Sequence, residues 1–192
     1  MQVPEGWSIE KFGNFAEFRN GLNFRKSSIG ESVKIVGVSD FQNYSTLEDF
    51  SNLETINVEN KLNDNDLLID NDLLFVRSNG NKKLIGRCLF FPTVNEKLSF
   101  SGFTIRARIF RQDLLPKYIS NLFRTNYAKN QIQLEGRGTN ISNLNQQILS
   151  NFQFPFPPLA EQEKIAEILS TWDRAIEQTE RLKANAETHK QA

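Results

Sequence analysis

Two short segments of the sequence concentrate long hydrogen-bond donors and side-chain amides. The first is Arg77-Ser78-Asn79-Gly80-Asn81-Lys82-Lys83, and the second is Gly136-Arg137-Gly138-Thr139-Asn140-Ile141-Ser142-Asn143. Arg and Lys donate to guanine edges and phosphates, and Asn and Gln pair with adenine, so these segments offer the chemistry of nucleic-acid recognition. The candidate contacts are Arg77, Ser78, Asn79, Lys82 and Lys83 in the first segment and Arg137, Thr139 and Asn140 in the second.

Each segment also has a plainer interpretation. The first lies between two apolar stretches and would equally serve as a solvated hairpin turn. The glycines of the second allow close backbone approach to a phosphate, but a flexible connector would use them as well. The second segment lacks the Gly-Lys-Ser/Thr ending of a nucleotide-binding loop, and no predicted strand leads into it, so nucleotide binding is not expected there.

Charge is distributed unevenly along a chain whose formal net charge is zero. Residues 77–111 hold eight basic residues and one acidic residue, whereas residues 48–72 hold eight acidic residues and one basic residue. This asymmetry predicts one basic and one acidic face, unless the two segments pair with each other as surface salt bridges. Within the basic segment, Arg87, Arg106 and Arg108 are the candidates for anchoring phosphates.

Residues for catalysis by this chain alone are scarce. His189, the single histidine, stands alone near the C-terminal end, and the single cysteine, Cys88, is expected in the core. Pro157-Pro158 has Phe before it and Leu after it, which fails the Asn/Asp-Pro-Pro-aromatic pattern of adenine methyltransferases. No glycine-rich cofactor loop follows a strand, and the acidic cluster at 64–72 lacks the glycine of a calcium loop. We therefore predict a non-catalytic protein with no metal or cofactor of its own.

The pattern of apolar residues predicts an α+β domain over residues 1–155, with mixed or antiparallel strands and short helices. Strands are expected at 33–38, 73–76, 85–91 and 103–110, with an edge strand at 152–156, and helices at 115–126 and 127–134. The strand at 103–110 alternates strictly, with Ile105 and Ala107 on one face. Its other face would then expose Arg106 and Arg108 side by side.

A proline hinge and a long helix are predicted for residues 156–192. Pro155, Pro157 and Pro158 bar a helix through residue 157, and no Gly or Pro follows Leu159. An apolar stripe with heptad spacing favours pairing with a partner helix, although a helix packed on its own domain would show a stripe too. The stripe consists of Ile165, Ile168, Leu169, Trp172, Ile176 and Leu182.

Composition and the N-terminus favour a cytoplasmic protein that is not bound to a membrane. No apolar stretch approaches the roughly 20 residues of a membrane span, and Met1-Gln2-Val3-Pro4 does not open a signal peptide. One Cys and one His exclude a disulfide framework and a zinc cluster of the usual kind.

Several of these motifs resemble the specificity subunit of type I restriction–modification systems. Pro-Pro-Leu-Ala-Glu-Gln-Glu-Lys-Ile-Ala at 157–166 is similar to the motif that begins that family's spacer helix. Val3 to Trp7, the segment 71–78 with Gly86-Arg87, and Asn140-Ile141-Ser142 resemble further family motifs in the family's order. The resemblance covers essentially the whole chain, with Asn71 where the family often has Gly.

The resemblance implies a DNA sequence-specificity subunit that reads one half of a bipartite double-stranded target. It further implies docking of modification (methyltransferase) subunits, which carry S-adenosylmethionine, and of restriction subunits. A coiled-coil scaffold without a DNA role, or a DNA methyltransferase or nuclease acting alone, remains the alternative.

The family usually has two recognition domains and two spacer helices, whereas this chain has one of each. It is then a natural half-subunit or an N-terminal fragment. A homodimer, or a second half-subunit, joined through antiparallel helices would restore the layout. A helix of about 32 residues spans about 48 Å, or about 14 base pairs, which suits two half-sites with an unread gap.

Overall fold

The computed structural model describes residues 3–23, 30–42, 44–59, 62–135 and 143–191. Its strands are β1 (Ser8–Lys11), β2 (Ala16–Asn20), β3 (Glu31–Val36), β4 (Glu54–Val58), β5 (Leu73–Val76), β6 (Cys88–Phe90), β7 (Leu98–Phe100), β8 (Thr104–Ile109) and β9 (Gln153–Phe156). Its α-helices are α1 (Pro116–Phe123), α2 (Asn126–Glu135), α3 (Gln146–Asn151) and α4 (Leu159–Gln191).

The central sheet is antiparallel in the order β2-β8-β5-β6. All four residues of β5 are buried, and they alternate between two cores because successive side chains point to opposite faces of a sheet. Leu73 and Phe75 belong to the first core, and Leu74 and Val76 belong to the second. The unbroken apolar run that predicted this strand is therefore explained by burial on both faces.

The first core is an aromatic cluster between the central sheet, α1, α3 and β9. The Phe12 ring contacts those of Phe15, Phe75, Phe123 and Phe154 at centroid distances of 5.3–6.2 Å. β9 pairs with β1 in a separate two-stranded antiparallel sheet, which ties the chain before α4 to the N-terminal segment. This arrangement fixes the point at which α4 leaves the domain.

The second core lies between the central sheet and a three-stranded sheet in the order β4-β3-β7. In that sheet β3 and β4 are antiparallel, whereas β3 and β7 are parallel. Asn71, just before β5, has a positive φ of 68°, a left-handed conformation that Asn tolerates better than most residues. Glycine, which the family often has at this position, would adopt the same conformation without strain.

The predicted α+β class, with antiparallel strands and a long C-terminal helix, is confirmed. The observed β3, β5, β6, β8, β9, α1 and α2 correspond to predicted elements, whereas β1, β2, β4, β7 and α3 were not predicted. The strand expected from residue 85 begins only at Cys88, because Gly86 adopts a φ of 78° that turns the chain. Within the described residues, the helices are either too short or too polar to cross a bilayer.

Candidate nucleic-acid interface

The first donor-rich segment forms the connection between β5 and β6, and its own side chains shape it. The Asn79 Oδ1 accepts from the Asn81 N–H at 2.7 Å, and the Asn81 Oδ1 accepts from the Lys83 N–H at 3.1 Å. Such local side-chain-to-backbone bonds are how Asn favours turns. Asn81, Lys82 and Lys83 are consequently held in an exposed hairpin connection.

Arg77 joins this connection to two other parts of the chain. Its backbone carbonyl accepts from the Leu144 N–H at 2.7 Å, and its Nε donates to the Asn143 Oδ1 at 3.3 Å. Its Nη1 also lies 3.4 Å from the carbonyl oxygen of Gly102 in the β7–β8 turn. The structure therefore places the C-terminal end of the second donor-rich segment against the first. Arg137, Thr139 and Asn140 of that second segment lie outside the described residues.

Phe103 extends the same surface and was missed by sequence reasoning. Its side chain is 60% exposed at the β7–β8 turn, and its carbonyl accepts from the N–H groups of Arg77 and Ser78 at 2.8 and 3.3 Å. We name residues 77–83, Phe103 and Asn143 the tip surface. The available sequence signal was the turn Ser-Gly-Phe, where an aromatic residue follows a glycine between two strands.

The expectation that β8 exposes two arginines is wrong. Arg106 is 3% exposed, and its Nη1 donates to the carbonyl oxygens of Asn65 and Leu67 at 2.9 and 3.1 Å. Arg108 forms a bidentate pair with the buried Asp72 carboxylate, with both N–O distances at 2.8 Å. The acidic segment folds across this face of the sheet and covers it, which strand alternation alone does not reveal.

Arg19 of β2 completes this covered cluster, which we define as Arg19, Arg106, Arg108, Asp66 and Asp72. Arg19 lies opposite Arg106 in the antiparallel register and pairs with Asp66. Burial lowers the pKa of Arg106, and the like charges of Arg108 and Arg19 add to the lowering against the opposing charge of Asp72. The hydrogen bonds to Asp72 raise the pKa of Arg108.

The prediction of separate basic and acidic faces also needs correction. Asp72 of the acidic segment pairs with Arg108 of the basic segment, which cancels part of the opposite charge internally, and the Asn65 and Leu67 carbonyls accept from Arg106 and Arg108. Arg87 donates to the carbonyl oxygens of Phe41 and Gln42 at 2.9 and 3.2 Å and so also holds backbone. Phosphate contact by Arg87, Arg106 and Arg108 stays a prediction.

The start of α4 is fixed to the domain by one buried amide. Gln162 is 1% exposed, and its Oε1 accepts from the Leu115 N–H at 2.9 Å. Its Nε2 donates to the carbonyl oxygens of Asp113 and Pro157 at 3.1 and 2.9 Å. Three turns later, the guanidinium of Arg124, which directly follows α1, binds both Asp173 oxygens and thereby lowers the pKa of Asp173.

The apolar stripe on α4 is mostly exposed. Ile165 packs against the first core, but Trp172 and Leu182 are 65% and 69% exposed. Ile168, Leu169 and Ile176 are exposed as well. Packing on the helix's own domain therefore accounts for the first turns of α4, and the rest of the stripe contacts no described residue that would bury it.

Comparisons with known proteins agree with the architecture. A family model described as the type I restriction modification DNA specificity domain matches residues 4–188. A Methanocaldococcus jannaschii protein that has been assigned as the specificity subunit of the type I restriction enzyme MjaX is 29% identical over 180 residues. That alignment covers 91% of this chain and 41% of the relative.

Solved structures share the fold at low sequence identity. The HsdS subunit from Thermoanaerobacter tengcongensis has a TM-score of 0.64 at 16% identity, covering 94% of this chain and 40% of that chain. A chain from a study of complex assembly and conformational transition of the type I R-M system has a TM-score of 0.68 at 16% identity, covering 98% of this chain and 44% of that one.

The chain thus spans about two fifths of the length of the relatives that it matches. One recognition domain followed by one long helix fits half of such a specificity subunit. The model match extends over nearly all of the sequence, from the N-terminal Val-Pro-Glu-Gly-Trp segment through the long helix. The chain belongs to the family of type I restriction–modification DNA specificity domains.

Proposed function

We propose that this chain reads one half of a bipartite double-stranded DNA target and performs no chemistry itself. The observation that carries the proposal is the convergence of three segments at the tip surface, where Arg77 contacts Asn143, Gly102 and Phe103. Exposed Lys82 and Lys83 supply positive charge there, and the Asn side chains supply amides. Long donors such as Arg and Lys pair with guanine in the major groove, and side-chain amides pair with adenine.

The partner subunits follow from the family and from the exposed stripe on α4. Methyltransferase (modification) subunits would dock on α4 and the neighbouring domain flank, bind S-adenosylmethionine and methylate the target, and restriction subunits would join them. The whole assembly would act in the cytoplasm. Neither the cofactor site nor the methyl transfer is assigned to residues of this chain.

The helix α4 would set the distance between two half-sites. Its 33 residues correspond to about 50 Å of ideal helix, about 15 base pairs of duplex DNA. A second copy of this chain, or a second half-subunit, would pair through the exposed stripe with its helix antiparallel. Because a two-fold dimer repeats each contact, such a pair of identical chains would read a palindromic target with an unread gap.

Salt-dependent duplex binding tests the DNA-reading role. We expect the full chain to bind double-stranded DNA, with an affinity that falls linearly on a log–log plot as salt rises, because phosphate neutralisation releases counterions. Fluorescence anisotropy with a labelled duplex pool at several salt concentrations measures this. Absence of binding at low salt would contradict the proposal, and binding heat with S-adenosylmethionine in calorimetry would instead favour an enzyme.

A charge-introducing double variant tests the role of α4. We expect Trp172→Glu with Ile176→Glu to abolish self-association, because two carboxylates would have to be buried in an apolar seam. Light scattering across a dilution series measures the mass, and the far-ultraviolet spectrum checks that the domain remains folded. Glu163→Gln with Glu167→Gln on the exposed surface of α4 is the control. An unchanged mass in the double Glu variant would reject the seam.

A further inference from the structure

Phe103 is an apolar side chain held in water by a rigid turn. Although Phe103 is 60% exposed, hydrogen bonds hold the backbone of the residues before and after it. The Thr104 N–H and Oγ1 both donate to the Ser101 carbonyl at 2.8 and 2.7 Å, and the Gly102 N–H donates to the Leu22 carbonyl at 2.7 Å. The ring therefore projects from a fixed base.

Close packing of two chain segments explains this rigidity. A Cβ at Gly102 would lie 2.0 Å from the Asn23 Oδ1, and a Cβ at Gly21 would lie 2.2 Å from the Ser101 carbonyl oxygen. Gly21 has no space for a side chain because the close atoms are backbone, and a side chain at Gly102 would have to displace that of Asn23, so the segment 21–23 lies directly against the turn. The hydrogen bonds and this packing fix the backbone that carries Phe103, so the ring projects from a fixed position at the surface.

The surroundings of Phe103 identify what it would contact. It is the apolar member of a surface otherwise made of cationic and amide side chains, with Arg77 and Ser78 bonded directly to its carbonyl. In the major groove, the hydrogen-bond donors and acceptors on the base edges would contact the cationic and amide side chains. The apolar group that base pairs present there is the 5-methyl group of thymine. A rigid aromatic side chain also loses little conformational entropy on binding.

We propose that Phe103 is a specificity-determining residue that packs its ring against a thymine methyl group in the half-site. The proposal rests on the proposed function and deepens it, since it predicts that one position of the half-site requires a T·A pair. The neighbouring donors would fix the register of the domain on the duplex, and the ring would discriminate at that one position.

The chain contains a matched control at the opposite end of β8. Phe110 is 57% exposed and follows the strand directly, as Phe103 directly precedes it. At about 3.4 Å per residue the two positions are about 24 Å apart along the strand. Phe110→Ala therefore removes the same side chain at almost the same exposure, away from the tip surface.

The experiment first selects a preferred duplex from a random pool with the full chain. That duplex is then prepared with uracil replacing each thymine in turn, which deletes the methyl group and nothing else. At one position we expect uracil to weaken binding by wild type and by Phe110→Ala about fourfold, the worth of one buried methyl group. Phe103→Ala should bind the two duplexes equally, and Phe103→Leu should retain part of the discrimination.

The outcomes separate the two proposals. If wild type enriches no sequence and binds no duplex, the proposed DNA-reading function fails and this inference fails with it. If wild type selects a sequence but Phe103→Ala keeps the same sensitivity to uracil at every position, the thymine contact alone is overturned. A loss of affinity in Phe103→Ala with no thymine–uracil difference in wild type overturns it as well.

Discussion

The cations of β8 and those of the β5–β6 connection belong to the same basic stretch of sequence but are used in opposite ways. Arg106 and Arg108 point into the covered cluster, where backbone carbonyls accept hydrogen bonds from both and Asp72 pairs with Arg108. Lys82 and Lys83 lie on an exposed hairpin beside Phe103. The two groups differ in whether another segment folds over the cation and buries it. Sequence charge therefore marks a candidate surface, but the covering segment decides which charges reach a ligand.

The covered cluster and the tip surface should therefore have different roles that can be measured. The covered cluster should control stability, because Asp66, Asp72 and Arg106 are buried and its charged groups depend on one another as partners. The tip surface should control DNA binding with little effect on stability, because exposed lysines lose few folded-state contacts when they are truncated. A variant of the tip surface that lowered stability, or a variant of the covered cluster that changed only DNA binding, would contradict this assignment of roles.

The largest effect is expected from Asp72→Ala. Its carboxylate is fully buried, pairs with Arg108, and accepts the Ile69 N–H at 2.9 Å, so its loss leaves Arg108 without its counter-ion and the Ile69 N–H without its acceptor. We expect the free energy of unfolding to fall by about 3 kcal/mol. Urea denaturation followed by circular dichroism measures this change.

Asp113→Ala is the control for Asp72→Ala. Asp113 also pairs with an arginine, Arg111, but its side chain is 61% exposed, so little change in stability is expected. An Asp72→Ala midpoint equal to that of wild type would show that the covered cluster is not structural. Phosphate contact by Arg106 and Arg108 would then be favoured over a structural role.

A second effect is expected on the DNA side from Lys82→Ala with Lys83→Ala. If each ammonium neutralises one phosphate, the slope of log affinity against log salt should become shallower by about 1.8, with an unchanged unfolding midpoint. Anisotropy titrations of a duplex at four salt concentrations give the slope.

The matched control for the lysine pair is Lys34→Ala with Lys97→Ala. These two lysines do not belong to the tip surface, and their ammonium groups pair with Glu96 and Glu31. We expect their removal to leave the slope as in wild type. Equal slopes for both double variants would mean that the tip surface has no special role in binding DNA.

The elements that could be predicted from sequence are those fixed by local rules. β5 was recognisable because a strand buried on both faces needs a continuous apolar run, and α4 begins at Leu159 because the preceding prolines prevent an earlier start. Short edge strands such as β1 were missed, since Ser8–Lys11 has mostly exposed side chains and depends on β9 for its hydrogen bonds.

The candidate site was predictable only in part, because the exposure of its side chains depends on distant segments of the chain. Amides and cations at 77–83 mark a possible DNA contact whatever their partners, and the structure keeps most of them at the surface. The burial of Arg106 was not predictable, because it depends on carbonyls 39 and 41 residues away in sequence. The sequence predicts a strand at 103–110 that includes Phe103, whereas β8 begins at Thr104 and leaves Phe103 in the preceding turn.

The smallest expected effect is a pH dependence that sharpens the role of the covered cluster. Burial of Asp66 would raise its pKa, but the hydrogen bond from Arg19 and that from the Asn63 N–H outweigh burial and hold the pKa below its usual value. A carboxylate with a depressed folded-state pKa stabilises the fold above its unfolded pKa of about 3.9. That contribution is lost as the pH falls through the folded-state value.

Asp66→Asn isolates this contribution. We expect the variant to be less stable than wild type at pH 6 and the difference to shrink steadily below pH 4, where the wild-type carboxylate takes up its proton. Urea denaturation at both ends of this range measures it, with Glu163→Gln on the exposed surface of α4 as the control for a lost negative charge. A wild-type advantage that stayed constant with pH would mean that Asp66 acts through packing. The Arg19 pair would then contribute no electrostatic stabilisation to the cluster, and the division between structural and DNA-binding cations would rest on Asp72 alone.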